Sequence, residues 1–232
     1  MYMEKKYCHI EPFNLRLFGR TILEDFACDF DKNSAVCLLG ESGSGKSLLL
    51  KTLFKNSSLI QSNGRVLFYL LQKKDASNWQ EEIASLHLDV TWKRFIQKIM
   101  KVSTHLEYRF AFVLTLLEKP DFLFCEDLHW IFSAKELAYI FSFMRKKKIG
   151  CFYVTNQIED TVYSTYLMIV KQDKMAIEGQ TLLVLQEEKY LKRLGFSLPF
   201  YINMSIQLEL YGLIDHLCMS KEELEKALWK LK

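Results

Sequence analysis

The sequence predicts an α/β fold: a parallel sheet of short buried strands with an N-terminal antiparallel β layer, a helical subdomain near residues 73–118 and a helical C-terminal tail. Three runs carry that expectation. Residues 35–39, Ala-Val-Cys-Leu-Leu, lead directly into Gly-Glu-Ser-Gly-Ser-Gly-Lys-Ser at 40–47 and then, from Leu48 onward, into a helical pattern. Residues 121–127, Asp-Phe-Leu-Phe-Cys-Glu-Asp, follow Pro120 and place an apolar run ahead of two carboxylates. Residues 151–156, Cys-Phe-Tyr-Val-Thr-Asn, form a third run that ends in polar side chains. Short apolar runs bounded by turn residues are the pattern of strands covered on both faces.

Composition narrows the class. With 232 residues, half of them apolar, the chain can bury a sizeable core and suits one domain with an appended tail. A net charge of +3 with acids and bases interspersed gives no nucleic-acid footprint. The basic run Arg145, Lys146, Lys147 and Lys148 closes a predicted helix, where cations favour the dipole, and reads as a solvated terminus. Cys8, Cys28, Cys37, Cys125, Cys151 and Cys218 show no Cys-x-x-Cys spacing and read as reduced core residues of a cytosolic protein. The most apolar long stretch, 110–117, is far short of a bilayer span, and charges from Glu4 to Lys6 stand where a signal sequence needs apolar residues. The expectation is a cytoplasmic chain with no direct membrane span, working at a membrane only if other subunits provide one.

In chain order, residues 1–30 alternate apolar and polar positions in short pieces, as strands of an antiparallel layer do. The loop at 40–47 fits the Walker A pattern at every required position, between a buried strand and a helix. Gly40 and Gly45 are expected to let the backbone turn tightly. The N–H groups of the loop (Gly40, Glu41, Ser42, Gly43, Ser44, Gly45) and of the helix start (Lys46, Ser47, Leu48) then converge on a phosphate. Lys46 reaches the β- and γ-phosphates, and Ser47 offers its hydroxyl to magnesium, which makes ATP with Mg the expected ligand pair.

Beyond the loop, 62–64 (Ser-Asn-Gly) reads as a turn and 65–71 as a strand ending at Gln72, a side chain able to reach magnesium and the attacking water. The uneven spacing of Trp79, Leu86, Trp92, Phe95 and Ile99 suggests several short helices. The run 121–127 has the shape of a Walker B strand, with Glu126 at the magnesium position and Asp127 at the water position. Ser133 with Glu136 opens a helix by a capping box, Gly150 ends it, and 166–170 with 174–178 read as a closing hairpin. The tail from 181 is helical by pattern, with a second capping box at Ser220.

With the Walker loop, Gln72, the acids and the run Val102-Ser103-Thr104-His105-Leu106 at this spacing, the chain resembles an ATP-binding cassette (ABC) ATPase, a P-loop NTPase. Arg109 and Ala111 keep their places in the helix after that run, and the resemblance covers residues 17–179. It implies a domain over 1–180 and a C-terminal extension over 181–232. It also implies adenine stacking by an aromatic residue for which Phe18 is the candidate, with Phe13 and Tyr7 competing and a plain core role for Phe18 equally open. The order Leu194-Gly195, Leu198-Pro199, Gly212 and a final Ser-x-Glu-Glu-Leu helix resembles the extension of energy-coupling factor transporter ATPases.

Departures from the family pattern are part of the reading. Glu126 and Asp127 stand in reversed order, Thr104 and His105 replace signature glycines, and Asn156 replaces the switch histidine as the third catalytic candidate beside Asp127 and Gln72. His105 and His129 are candidate substitutes for that histidine, although each reads more simply as a surface residue without a role. The resemblance implies an ATP-binding subunit that couples ATP binding or hydrolysis to uptake of a vitamin or metal ion, peripheral at the cytoplasmic face of the membrane. Its partners would be a second ABC-type ATPase subunit, a transmembrane coupling subunit and a substrate-binding membrane subunit, with this chain the weaker half of a heterodimer. The alternative is a nucleotide-binding regulatory or scaffolding module that does not hydrolyse ATP.

Overall fold

The computed structural model describes residues 6–230; the first five residues, Glu4 among them, and Leu231 and Lys232 lie outside the described residues. Two sheets organise the chain. β1 (Tyr7–Leu17) and β2 (Arg20–Asp31) pair antiparallel, and along β2 the buried positions Leu23, Phe26, Cys28 and Phe30 line the inner face while Glu24 and Asp29 stay outside. This is the expected N-terminal layer. Its third strand, β4 (Ile60–Ser62), pairs with β1 and was not legible, because three residues ahead of a Ser-Asn-Gly turn carry no period.

The second sheet has the order β5-β6-β7-β3-β8-β9. β3 (Ala35–Gly40), β5 (Val66–Tyr69), β6 (Phe122–Glu126), β7 (Gly150–Thr155) and β8 (Tyr166–Lys171) run parallel, and β9 (Lys174–Gln180) closes the edge antiparallel to β8. Every residue of β6 and β7 is buried, as their unbroken apolar runs require. One face packs on the N-terminal layer through phenylalanines: Phe30 meets Phe122 at 5.4 Å and Phe124 at 5.8 Å between ring centroids, and within the sheet Phe68 stacks on Phe124 at 4.8 Å.

α1 (Lys46–Lys55) shares that face, with Leu49, Leu50 and Leu53 packed between the two sheets, and the helices after β5 cover the other face. α1 starts at Lys46, two residues earlier than expected, because Gly45 already caps it. The subdomain is three short helices, α2 (Trp79–Ser85), α3 (Val90–Ile99) and α4 (Leu106–Leu117), followed after β6 by α5 (Ala134–Lys146) with the predicted capping box at Ser133 and Glu136. The Arg109 side chain, 2% exposed, ties α4 to its surroundings. It donates to Thr104 O at 2.9 Å, Ile99 O at 2.8 Å, Ile131 O at 2.8 Å and the Glu136 carboxylate at 2.6 Å.

The tail folds as α6 (Thr181–Gln186), α7 (Glu188–Arg193), α8 (Phe200–Leu210) and α9 (Lys221–Trp229). Leu185, Leu191, Phe196, Leu198 and Ile202 join the same apolar core as β3, β7 and α5, whereas Cys218, Leu224 and Ala227 form a small cluster of their own. All six cysteines are buried, and none is in a disulfide.

Candidate functional site

The central strand β3, between β7 and β8, delivers the loop at 40–47 to the carboxyl edge of the parallel sheet, where α/β folds place ligands. Glycine is required there for two different reasons. Gly43 and Gly45 have φ of 85° and 87°, so the turn is theirs rather than that of Gly40 and Gly45. Gly40 answers a need for space: a Cβ there would sit 2.7 Å from Ser44 Oγ and 3.1 Å from Val170 O. The Lys46 side chain curls back into the loop, 8% exposed, donating to Gly40 O and Glu41 O at 2.8 Å each and to Ser44 Oγ at 3.2 Å. Burial lowers its pKa, and Asp127 works against that shift.

The two acids come to the same loop from β6. Glu126, 5% exposed, ends the strand near Ser47, whose hydroxyl works against the rise of its carboxyl pKa. Asp127 lies just past the strand, with φ of 45° and its N–H on Val154 O at 3.1 Å. Burial raises both carboxyl pKa values; the neighbouring Asp127 charge adds to the shift at Glu126, and Asp160 adds to that at Asp127. A divalent cation relieves that situation, and the Ser47 hydroxyl and Glu126 carboxylate are hard oxygen donors suited to Mg. When bound, Mg would neutralise charge on the phosphate oxygens.

A cavity of about 300 Å³ opens over the loop, lined by Ser42, Gly43, Gly45, Lys46, Ser47 and Leu48, with Asp127 and Asn156 on one side and Leu17 and Ile22 on the other. Phe18 stands at the tip of the β1–β2 turn with φ of 47°, fully exposed, while its neighbour Leu17 lines the cavity. The apolar wall is thus Leu17, at the end of β1, and Ile22, near the start of β2, neither of which the sequence marks as a site residue. Glu41 faces outward and pairs with Lys171. A second cavity of about 350 Å³ adjoins the first through Asp127 and Asn156 and is completed by Leu71, Tyr108, His129 and Trp130.

Gln72 does not join this group. β5 ends at Tyr69, Leu71 turns with φ of 45°, and Gln72 is exposed one residue beyond the cavity wall. Asn156 follows β7 directly, as predicted, and lines both cavities. In the run 102–106, His105 takes the left-handed conformation, φ 57°, a task glycine performs at no steric cost, and its ring lies 4.5 Å from that of Trp130. A larger cavity of about 420 Å³ lies in the tail between residues 212–216 and α9; its lining holds Asp215, Glu223, Lys226 and Lys230 but no strand-to-helix glycine loop.

The fold and this loop define a P-loop nucleotide-binding domain of ABC type. The ABC transporter family profile matches residues 23–138, half of the chain, and the chain belongs to that family. It is 33% identical over 87 residues to the hemin import ATP-binding protein HmuV of Photobacterium profundum, covering 38% of this chain and 29% of that protein. It is also 36% identical over 87 residues to the aliphatic sulfonates import ATP-binding protein SsuB 2 of Mesorhizobium japonicum, covering 37% of this chain and 32% of the relative. The chain therefore spans about a third of the length of these curated relatives. Among solved structures, a bacterial Atm1-family ABC exporter with ATP bound superposes with a TM-score of 0.63 at 15% identity, over 85% of this chain and 43% of that one. The cbiO1 protein of Clostridium perfringens, part of the ABC transporter complex cbiONQ, superposes with a TM-score of 0.56 at 14% identity, over 89% of this chain and all of that one. At these identities the two structures speak for the fold. Among the described residues no helix is long and apolar enough to cross a membrane.

Proposed function

We propose that the chain is the ATP-binding subunit of an energy-coupling factor type transporter, coupling ATP binding or hydrolysis to uptake of a vitamin or metal ion. The observation that carries the reading is the convergence of Lys46, Ser47 and Glu126 at a glycine loop over a cavity large enough for the phosphates. Lys46 and the loop N–H groups hold the β- and γ-phosphates, Ser47 and Glu126 hold Mg, and Asp127 orients water at the shared wall of the two cavities. Import ATPases among the relatives, and a neighbour that is part of a transporter complex, support the transport side. The order of motifs in the tail supports the energy-coupling assignment.

In this reading the chain is peripheral at the cytoplasmic face of the membrane and pairs with a second ABC-type ATPase. ATP in such a pair is closed over by the partner's signature segment, and His105 with Thr104 gives this chain a poor one. The non-hydrolysing nucleotide-binding module remains the second reading. It is favoured by one feature: Glu126 and Asp127 differ from the family order by a methylene each, and catalysis responds to displacements of about 1 Å.

Turnover by the purified chain tests this. The chain alone is expected to hydrolyse ATP below about 1 per second, the low end of ordinary enzyme rates, and the combined change Glu126→Asp, Asp127→Glu and Asn156→His is expected to raise that rate. Fast steady turnover by the chain alone would contradict the assignment of a weak half.

A further inference from the structure

The cavity beyond Asp127 contains an imidazole that the phosphate loop leaves without a task. His129 stands on the single 3-10 turn Leu128–Trp130 that follows the acids. Its Nδ1 lies 3.1 Å from Oδ2 of Asp160 and 3.4 Å from Oγ1 of Thr155, and Thr155 donates to the same Asp160 oxygen at 2.7 Å. Asp160 is 8% exposed and belongs to the 3-10 segment Ile158–Tyr163, so the carboxylate that grips the ring is itself fixed. A buried acid on Nδ1 sets the orientation of an imidazole and leaves Nε2 as the nitrogen available to a ligand.

Charge points the same way. The hydrogen bond to Asp160 raises the pKa of His129 against the effect of burial, and the charges of Asp160 and Asp127 add to the rise. Among the described residues those two acids, from the 3-10 segment after β7 and from the end of β6, are the charged groups that act on the ring, and Asp127 also feels the charge of Lys46. Tyr108 of α4 and Trp130 complete the wall and are neutral. An imidazole whose pKa is raised by two acids, in a cavity that shares Asp127 and Asn156 with the cavity over the phosphate loop, is a donor suited to an anion that extends past the loop.

We propose that His129, held by Asp160 and Thr155, recognises the terminal phosphoryl group of a bound nucleoside triphosphate from the side of Asp127 and Asn156. The inference rests on the reading of the 40–47 loop as the site of the other phosphates. It assigns to the turn after β6 a charged contact that the end of β7, with neutral Asn156, does not supply. A diphosphate stops at the loop and does not reach the imidazole. His129 therefore acts on the choice between ATP and ADP rather than on nucleotide binding in general.

Affinities of the whole chain for ATP–Mg and ADP–Mg test this, in the wild type and in His129→Ala, His129→Gln and Asp160→Asn. The alanine variant is expected to lose about tenfold in ATP affinity while ADP stays within about twofold, the glutamine variant to fall between, and Asp160→Asn to shift the ratio the same way. The ATP-to-ADP preference of the wild type is expected to fall between pH 6 and pH 9 by more than that of His129→Gln. Equal losses for the two nucleotides, or a preference unchanged in both histidine variants, overturn the proposal and leave the imidazole as a structural tie between β6 and β7. If the alanine variant does not fold, the glutamine variant carries the same ratio. Failure of the wild type to bind either nucleotide brings down the loop reading, and this inference with it.

Discussion

Gly45 concentrates the constraints of the phosphate loop in one residue. Its φ of 87° is costly for any side chain, and a Cβ there would lie 2.5 Å from Ile22 Cγ2, an atom of a stiff β-branched residue on β2. Gly45→Ala is therefore expected to cost about 1–3 kcal/mol of stability and to weaken ATP binding, whereas Ile22→Ala in the same background restores part of both. A denaturant melt of the two variants checks it; an unperturbed Gly45→Ala would mean the loop has room the structure does not show. Much of the site at this scale was legible. Lys46, Ser47, Glu126, Asp127 and Asn156 were named from spacing, and the structure brings them together. Leu17 and Ile22 were missed because the β1–β2 turn that brings them over the loop carries no period in the sequence. Gln72 stands outside this group because β5 stops at Tyr69 and Leu71 then turns the chain.

Between elements, Asp121 at the start of β6 is the junction of the two sheets. Its carboxylate takes ammonium groups from Lys6, at 2.6 Å, and from Lys32, together with the Arg65 N–H at 2.8 Å. Burial alone would raise its pKa, but these donors outweigh it and bring the carboxyl down to about 2. A depressed carboxyl pKa means the unfolded chain binds the proton more readily. The contribution to stability is thus complete above about pH 4 and is lost as pH falls toward 2. Asp121→Asn is expected to cost about 1–2 kcal/mol at pH 7 and to lose its disadvantage near pH 2. A gap between the two melting curves that is constant with pH would refute the assignment. The strands at 121–127 and 151–156 were readable because their apolar runs are unbroken, and the helices 79–117 because they are short and separated. β4 was not, since a three-residue edge strand exists only through its pairing with β1.

For the whole molecule, the tail is the part in which sequence and structure speak to different questions. Its helices were expected from pattern, and α6 and α7 with the start of α8 pack into the main core through Leu185, Leu191 and Ile202. Gly195 of the tail approaches Glu41 of the phosphate loop, where an added Cβ would lie 3.2 Å from Oε1. The loop, the acids and the tail therefore share one folded body, and a ligand that binds the loop stabilises all of it. By mass action, ATP–Mg at about a hundred times its dissociation constant adds about 2.7 kcal/mol. For a chain of this size that corresponds to roughly 5–10 °C in melting temperature. Thermal unfolding of the wild type and of Lys46→Ala, each with and without ATP–Mg, is the most direct test of the nucleotide site. The account predicts a rise of that order in the wild type and little or none in Lys46→Ala, which lacks the ammonium that faces the phosphates. The same rise in both proteins, or none in the wild type, would contradict it.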